Sequence, residues 1–441
     1  MSEPVSAGQS AFDKQGQLPD DQRLQNAMDT FVSDFGPKSA IYMESCVRCG
    51  LCAEACHFFV TTGDPKYTPI HKIQPFERAY ARRSGPLSPL YRLLGIGSDP
   101  TIEDLENWEE LIYDSCTLCG RCTLACPMGI DIAELVKEAR HGMYAAGLVP
   151  DRLAQITRNA EAHHSPFGEP EDFLRAAKRI AAEFRVDVPV NKSRADILVT
   201  TAPGDLDEHP RSFAGAAKIL NHLGLSWTYA SDAFEATNFG FLSGNMELQK
   251  ALTCRLIDKA VEIGAHTVLL PECGHAYGAA RWEAAQWYGR PVPVRILHMV
   301  EFLAEQIEMD AIKLRKVGDS AAFHDPCQLV RRGGLEHAPR RILAALGFEL
   351  RELADHGVYS YCCGGGGGVL ANARAEPLRH KVFELKQRQV DATGANHFIT
   401  SCGQCRLTFS KGAKHFQWDK TVESLLELVA DNLIETGVAP A

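Results

Sequence analysis

The chain has 441 residues, 45% of them hydrophobic, and a formal net charge of −10. That length predicts two or three globular domains, and the acidic balance argues against a general nucleic-acid binder, whose affinity comes from clustered Lys and Arg. No run reaches the roughly 18 to 20 apolar residues that span a bilayer, and the polar stretch Met1–Asp20 lacks an apolar signal region, so a reducing cytoplasm is expected for the fifteen cysteines, with membrane contact only through a partner.

In chain order, Gln22–Phe35 reads as an amphipathic helix. Eight cysteines follow between Cys46 and Cys126 in two runs, Cys46, Cys49, Cys52, Cys56 and Cys116, Cys119, Cys122, Cys126. Both match the C-x2-C-x2-C-x3-C spacing of bacterial ferredoxins, in which three close thiolates wrap one [4Fe–4S] cluster and the fourth reaches the cluster held by the other run. The expected ligand sets are Cys46, Cys49, Cys52 and Cys126 for cluster one, and Cys116, Cys119, Cys122 and Cys56 for cluster two. Zinc also takes C-x2-C pairs but has no use for a four-cysteine run. His57 stands where Pro127 follows the second run, which predicts a different exit for the chain after Cys56. The long stretch His57–Ser115 between the runs predicts a helical excursion. Its basic patch of Arg78, Arg82, Arg83 and Arg92 reads as a solvated face, or in a sharper reading as a docking surface for a redox partner.

After a predicted linker helix at Glu171–Phe184, strand-like and helical runs alternate: Ile197–Thr200, Arg211–Leu223, Leu248–Ile263, Thr267–Leu270, Ala321–His324, Pro339–Leu346, Glu376–Val390 and His397–Thr400. This is an α/β pattern, and it repeats internally. Ile219–Leu225 echoes Ile342–Phe348 at an offset of 123, which also carries Pro203 onto Pro326, while Cys273-Gly274-His275-Ala276 pairs with Cys402-Gly403-Gln404-Cys405. Carried across, Gly204, Phe239, Gly240 and Ala276 occupy the positions of Cys327, Cys362, Cys363 and Cys405. The first copy has therefore lost a cysteine site that the second keeps. Cys273 alone has a cysteine counterpart and is expected near the surviving site, whereas Cys254, inside an apolar helix pattern, reads as a small core residue.

The surviving set is Cys327, the vicinal Cys362-Cys363 followed by Gly364–Gly368, and Cys402 with Cys405. Adjacent side chains diverge, so five such thiolates suit an opened cluster better than a cubane corner set. The glycines, without Cβ atoms, let the backbone bend and approach closely. No Lys-Ser/Thr follows them, which excludes a P-loop.

From roughly Tyr42 to Phe409 the sequence resembles the CCG-domain iron–sulfur oxidoreductases, namely the D subunit of heterodisulfide reductase and the DsrK-like subunits. Glu272-Cys273-Gly274-His275-Ala276 and the stretch from Trp227 to Gly240 look most like DsrK. The resemblance implies an α+β protein, with a mainly helical N-terminal bis-[4Fe–4S] ferredoxin-like domain and duplicated α/β CCG domains. The boundaries expected are 1–41 for a helical extension, 42–150 for the two-cluster domain, 151–192 for a helical linker, 193–312 for a degenerate first CCG domain and 313–441 for the second. It further implies two cubane clusters and a noncubane [4Fe–4S] cluster on Cys327, Cys362, Cys363, Cys402 and Cys405. Electrons would come from a quinone-linked membrane cytochrome b partner, and the substrate would be a disulfide or trisulfide on a small sulfur carrier resembling DsrC. The site would lie at the cytoplasmic face of the inner membrane. Cys273, His275, His324 and Glu272 are the catalytic candidates, the last three as proton donors; Arg331, Arg332 and Arg406 read as solvated charge or as guides for an anionic substrate. The rival reading is a non-catalytic iron–sulfur subunit of a flavin-dependent glycolate, lactate or glycerol-3-phosphate dehydrogenase, disfavoured by the complete five-cysteine set.

Overall fold

A computed structural model describes residues 15–434; residues 1–14 of the polar start and residues 435–441 of the expected C-terminal domain lie outside the described residues. Two compact units emerge, and neither is continuous in sequence. The first takes the chain up to Ala162 together with Phe239–Leu248 and Gly366–Lys381; the second takes His163–Asn238, Gln249–Gly365 and the chain from Val382 onward.

Unit one is helical. The expected N-terminal helix runs Asp20–Asp34, with Asp20 and Asp21 in its first turn, where the helix dipole favours acids. Its buried face, Ala27, Met28 and Phe31, packs on the helix Ile132–Ala145. Gly142 is glycine because a Cβ there would stand 2.1 Å from the Phe31 ring, and that ring meets Phe76 edge-on at 5.2 Å. Between the two cysteine runs lie helices Gln74–Arg83, Ser88–Leu94 and Ile102–Glu109, the last opened by a Thr101–Asp104 capping box.

The arginines of the basic patch in this excursion bond within their own region, while Arg83 and Arg92 stay exposed. Arg78 donates to Asp104 (3.0 Å), Ser98 and the Asp99 carbonyl. Arg82 donates to the Tyr91 and Ile96 carbonyls, Arg83 to Asp99, and Arg92 to the Ser88 carbonyl. Arg78, Arg82 and Arg83 tie the Tyr91–Asp99 turn to the helix Gln74–Arg83.

Arg140 joins the three segments of unit one. Wholly buried, it donates to the carbonyls of Leu242 (2.8 Å), Gly367 (2.7 Å), Ile112 (2.8 Å) and Cys116 (3.0 Å), with its guanidinium 4.7 Å from the Tyr113 ring centroid. Gly367, at φ +61°, lies against Thr117, whose backbone a Cβ would meet at 2.8 Å. Asn372 and Arg374 both donate to the buried Asp114 carboxylate, which fastens the Gly366–Lys381 segment further.

Unit two holds two parallel four-stranded sheets. The strands are β1 (Ile197–Val199), β2 (Trp227–Tyr229), β3 (Thr267–Leu270), β4 (Arg295–His298), β5 (Ser320–His324), β6 (Glu349–Leu350), β7 (His397–Thr400) and β8 (Val422–Ser424). Their orders are β2-β1-β3-β4 and β6-β5-β7-β8. The registers correspond: Leu198 stands opposite Val268, as Ala322 stands opposite Phe398. Strands β1, β3 and β5 are buried throughout, as expected of parallel strands covered by helices on both faces. The helix expected at Glu171–Phe184 runs Pro170–Phe184; its Phe173 stacks on Phe234 at 4.2 Å, and Ala177 and Ile180 are buried in the same core.

Candidate functional site

Two cavities of about 380 Å³ in unit one are each lined by one of the crossed cysteine sets. Cys46, Cys49, Cys52 and Cys126 surround one; Cys116, Cys119, Cys122 and Cys56 surround the other. The local backbone explains how. In both runs the residue before the second cysteine has positive φ (Arg48 +53°, Leu118 +56°), and the glycine after it is left-handed (Gly50 +82°, Gly120 +73°) and starts a five-residue helix. Two such residues in close succession curl the backbone around the cavity, a conformation that side-chain-bearing residues adopt only when the surroundings hold it. The fourth cysteines leave those helices with nearly equal backbone angles (Cys56 φ −85°, ψ 116°; Cys126 φ −79°, ψ 116°). Beyond them the chain diverges, since His57 begins the helix His57–Thr62 while a turn follows Pro127.

Cluster cavity two carries a residue that the sequence reading missed. Lys72 is 2% exposed; its ammonium donates to the Ser115 carbonyl and stands 3.7 Å from the Cys56 sulfur. The lining of cavity one includes the exposed residues Cys49, Val47 and Met128.

Five of the seven remaining cysteines, Cys327, Cys362, Cys363, Cys402 and Cys405, meet in unit two at the carboxyl ends of β5 and β7. These adjacent strands are where the connections leave toward opposite edges of the sheet, the crevice in which open α/β sheets place ligands. Cys327 follows β5 and Cys402 follows β7; all five are buried, from 1% exposure at Cys362 and Cys363 to 6% at Cys327. The Cys327 and Cys362 sulfurs are 3.7 Å apart. Cys363 lies within hydrogen-bond reach of Cys362 and Cys405, and Cys405 within reach of Cys402. Thiol donors from Cys362 and Cys405, with the Gly365 N–H at 3.5 Å, hold the Cys363 sulfur well below the ordinary thiol range. The Cys405 thiol, aided by the N–H groups of Cys405, Gly274 and Gln404, lowers Cys402 in the same way. The glycines fit this purpose: a Cβ on Gly365 would lie 2.0 Å from Thr408 Oγ1, and Gly364 sits at φ +85°.

The segment after β3 borders the same site. The Gly274 N–H turns to the Cys402 sulfur, the Gly403 N–H donates to the Glu272 carbonyl at 2.8 Å, and a Cβ on Gly274 would meet Gln328 at 2.7 Å. Cys273 is 5% exposed, with Thr237 Oγ1 at 3.8 Å; burial, then the charge of Cys402, pushes its thiol up to about 12. Burial also pushes the Glu272 carboxyl up to about 8, although Ser424 Oγ (2.6 Å) and the Leu426 N–H (3.1 Å) donate to it. His275 is buried in the short helix Gly274–Tyr277. His324 is wholly enclosed at the end of β5, with Phe409 edge-on at 4.8 Å, and burial drives its imidazole well below the usual histidine range. Arg331 and Arg406 are held internally: Arg331 donates to the Val358 and Ser360 carbonyls, and Arg406 to both oxygens of Glu427. Cys254 is only half-buried, because it sits toward the edge of its helix's covered face; the expectation of a core residue does not hold.

Lys386 was also not expected here. It is 1% exposed, and the sulfurs of Cys362 and Cys363 are among the charges that act on it. Asp325, beside Cys327 in sequence, binds Arg340 in a bidentate pair (2.8 and 3.0 Å) and accepts from the Gly357 N–H.

Among the described residues no three His, Cys, Asp or Glu side chains are spaced to hold a single metal ion. The four cysteine thiols around each of the two cavities fit an iron–sulfur group instead.

Comparison with known proteins agrees with this donor chemistry. Residues 42–130 match the family model of the 4Fe-4S dicluster domain, and residues 321–410 that of the cysteine-rich CCG domain. The chain is 27% identical to the Hdr-like menaquinol oxidoreductase iron-sulfur subunit 2 of Archaeoglobus fulgidus, covering 90% of this chain and 80% of that one. It is 26% identical to the D subunit of the dihydromethanophenazine:CoB–CoM heterodisulfide reductase of Methanosarcina barkeri, over 89% of this chain and 94% of the relative. The EtfAB:quinone oxidoreductase of Syntrophomonas wolfei is 25% identical over 87% of this chain and 57% of its own length. No helix of the described residues is long and apolar enough to cross a membrane. The chain thus carries a 4Fe-4S dicluster domain followed by a CCG domain, and over most of its length it is similar to iron–sulfur subunits of heterodisulfide-reductase-like oxidoreductases.

Proposed function

We propose that the chain passes electrons through two cubane clusters in unit one to a noncubane [4Fe–4S] centre on Cys327, Cys362, Cys363, Cys402 and Cys405, where a disulfide or trisulfide is reduced or formed. The observation that carries this reading is the convergence of five buried cysteine sulfurs at the crevice between β5 and β7. Such a centre, when bound, supplies single electrons and an iron open to sulfur. Cleaving an S–S bond takes two electrons and two protons and releases two thiols, so the site must hold one sulfur while the second electron arrives.

The residues around it suit that task. The N–H groups of Gly274, Gln404 and Cys405 stabilise negative charge at Cys402. Cys273 keeps its proton beside that thiolate, and the Glu272 carboxyl is largely protonated near neutral pH; both are candidate proton sources. His275 remains a third. His324 has the pKa direction of a neutral imidazole, which leaves no imidazolium to act as an acid. Duplication of the CCG domain is supported by the identical strand order of the two sheets. It is also supported by each half yielding to unit one a stretch close to the vicinal-pair position, Phe239–Leu248 and Gly366–Lys381.

For the electron source, the relatives' names point to quinol-linked enzymes, and the exposed Val47 and Met128 on the lining of cavity one suit a docking partner. We assign that role to a membrane cytochrome b partner, the substrate to a sulfur carrier resembling DsrC in dissimilatory sulfur metabolism, and the location to the cytoplasmic face of the membrane. The test is C363S examined by electron paramagnetic resonance and iron content. It should remove a thiol-responsive signal and substrate reduction while both cubane signals persist; retention of every signal and of the full iron content would refute the assignment.

A further inference from the structure

We propose that Lys386 is the fixed counter-charge of the five-cysteine centre, a positioning residue whose ammonium holds the centre's reduction potential up. The inference rests on the reading that an iron–sulfur group occupies those cysteines. It starts from an imbalance in unit two. A buried ammonium is costly unless paired and hydrogen-bonded, yet Lys386 Nζ is enclosed without a hydrogen-bond partner among the described residues. Four anionic groups lie near enough to act on it: Asp325, Asp355, Cys362 and Cys363. The carboxylates are engaged elsewhere. Asp325 is held by both Arg340 nitrogens and the Gly357 N–H, and Asp355 accepts from Gln389 at 2.8 Å. What remains to balance the ammonium is the vicinal cysteine pair.

The neighbouring His324 does not alter this balance. Its two ring nitrogens are also enclosed without partners, and the Lys386 charge helps keep it neutral. Lys72, by contrast, has found a carbonyl acceptor at cavity two, so the unsatisfied lysine is peculiar to the five-cysteine site. A centre ligated by five thiolates becomes more negative with each electron it accepts, and one fixed positive charge in a low-dielectric surrounding favours the reduced state. Removing it should lower the ratio of reduced to oxidised centre by roughly tenfold or more at a given solution potential.

The test uses the full chain loaded with its clusters and compares K386M, which keeps length and removes charge, with K386R, which keeps charge. The readouts are iron and sulfide content and the midpoint of the thiol-responsive signal in a potentiometric titration, with the two cubane signals as internal references. The expected result is a lower midpoint for that signal in K386M alone, with both cubane midpoints unmoved and K386R close to the parent. Loss of the centre's iron in K386M but not in K386R would equally support a charge requirement. A fully loaded K386M with the parent midpoint, or identical loss of the centre in both variants, would overturn the proposal. Failure of the underlying reading is distinguishable: C363S would then leave the iron content unchanged before any lysine variant is considered.

Discussion

Replacing Arg140 with Met should destabilise unit one by about 4 kcal/mol. The guanidinium donates four hydrogen bonds of 2.7 to 3.0 Å to carbonyls on three separate stretches of chain. Hydrogen bonds to a charged donor contribute about 1.5 to 3 kcal/mol each, so their gross sum is roughly 6 to 12 kcal/mol. Against that stands the cost of keeping a cation out of water, which is visible in the downward push that burial exerts on the Arg140 pKa. Methionine fills similar space over Tyr113 and removes that cost, but it leaves the carbonyls of Cys116 and Gly367 without this donor. The net loss is then about 3 to 5 kcal/mol, a large share of the roughly 5 to 15 kcal/mol that a domain possesses. Denaturant unfolding of the loaded protein, followed by circular dichroism and by the visible absorbance of the clusters, measures it. Because the Cys116 carbonyl borders cavity two, absorbance should fall at a lower denaturant concentration than in the parent. A midpoint shift equivalent to less than about 0.5 kcal/mol, the range of an ordinary surface change, would refute the clamp.

Three further outcomes are expected. The Glu272 carboxyl is raised from an ordinary value near 4.3 to about 8, so the native chain binds this proton more tightly than the unfolded one. Its contribution is full below about pH 4 and is lost as pH rises through 8; thermal midpoints of the parent should fall between pH 5 and 9 more steeply than those of E272Q, and equal slopes would contradict this. G142A should lower stability by about 1 to 3 kcal/mol or more through its clash with Phe31, read as a thermal shift against the parent. C254S, at a half-exposed site outside the linings of the two cysteine cavities, should change neither iron content nor stability beyond about 0.5 kcal/mol.

The cysteines were the most legible part of the chain because cluster ligation imposes fixed spacing. The crossing of Cys56 and Cys126 between cavities followed from that spacing, and the structure brings those residues to the cavities so paired. The central strands β1, β3, β5 and β7 were legible as apolar runs, since parallel strands are buried on both faces. Their neighbours were not: β6 has two residues, β2 and β8 have three each, and Glu349 and Glu423 deprive β6 and β8 of an apolar signature. Lys72, Arg140 and Lys386 were invisible for a different reason. Lysine and arginine are ordinarily exposed, and only the packing of segments distant in sequence shows that these three are not. For the basic patch, sequence shows four arginines but not the acceptors they bind.

The division of unit one among three stretches sets an order of assembly. A ribosome releases the eight ferredoxin-type cysteines early, yet their scaffold gains its last pieces only after the residues up to Lys381 have emerged. Until then the nascent N-terminal region lacks the carbonyls that Arg140 binds at Leu242 and Gly367. Iron loading before translation has nearly ended thus meets an incomplete cradle, and a chain truncated within the C-terminal half leaves its first cysteine sites unsupported although every one of their ligands is present.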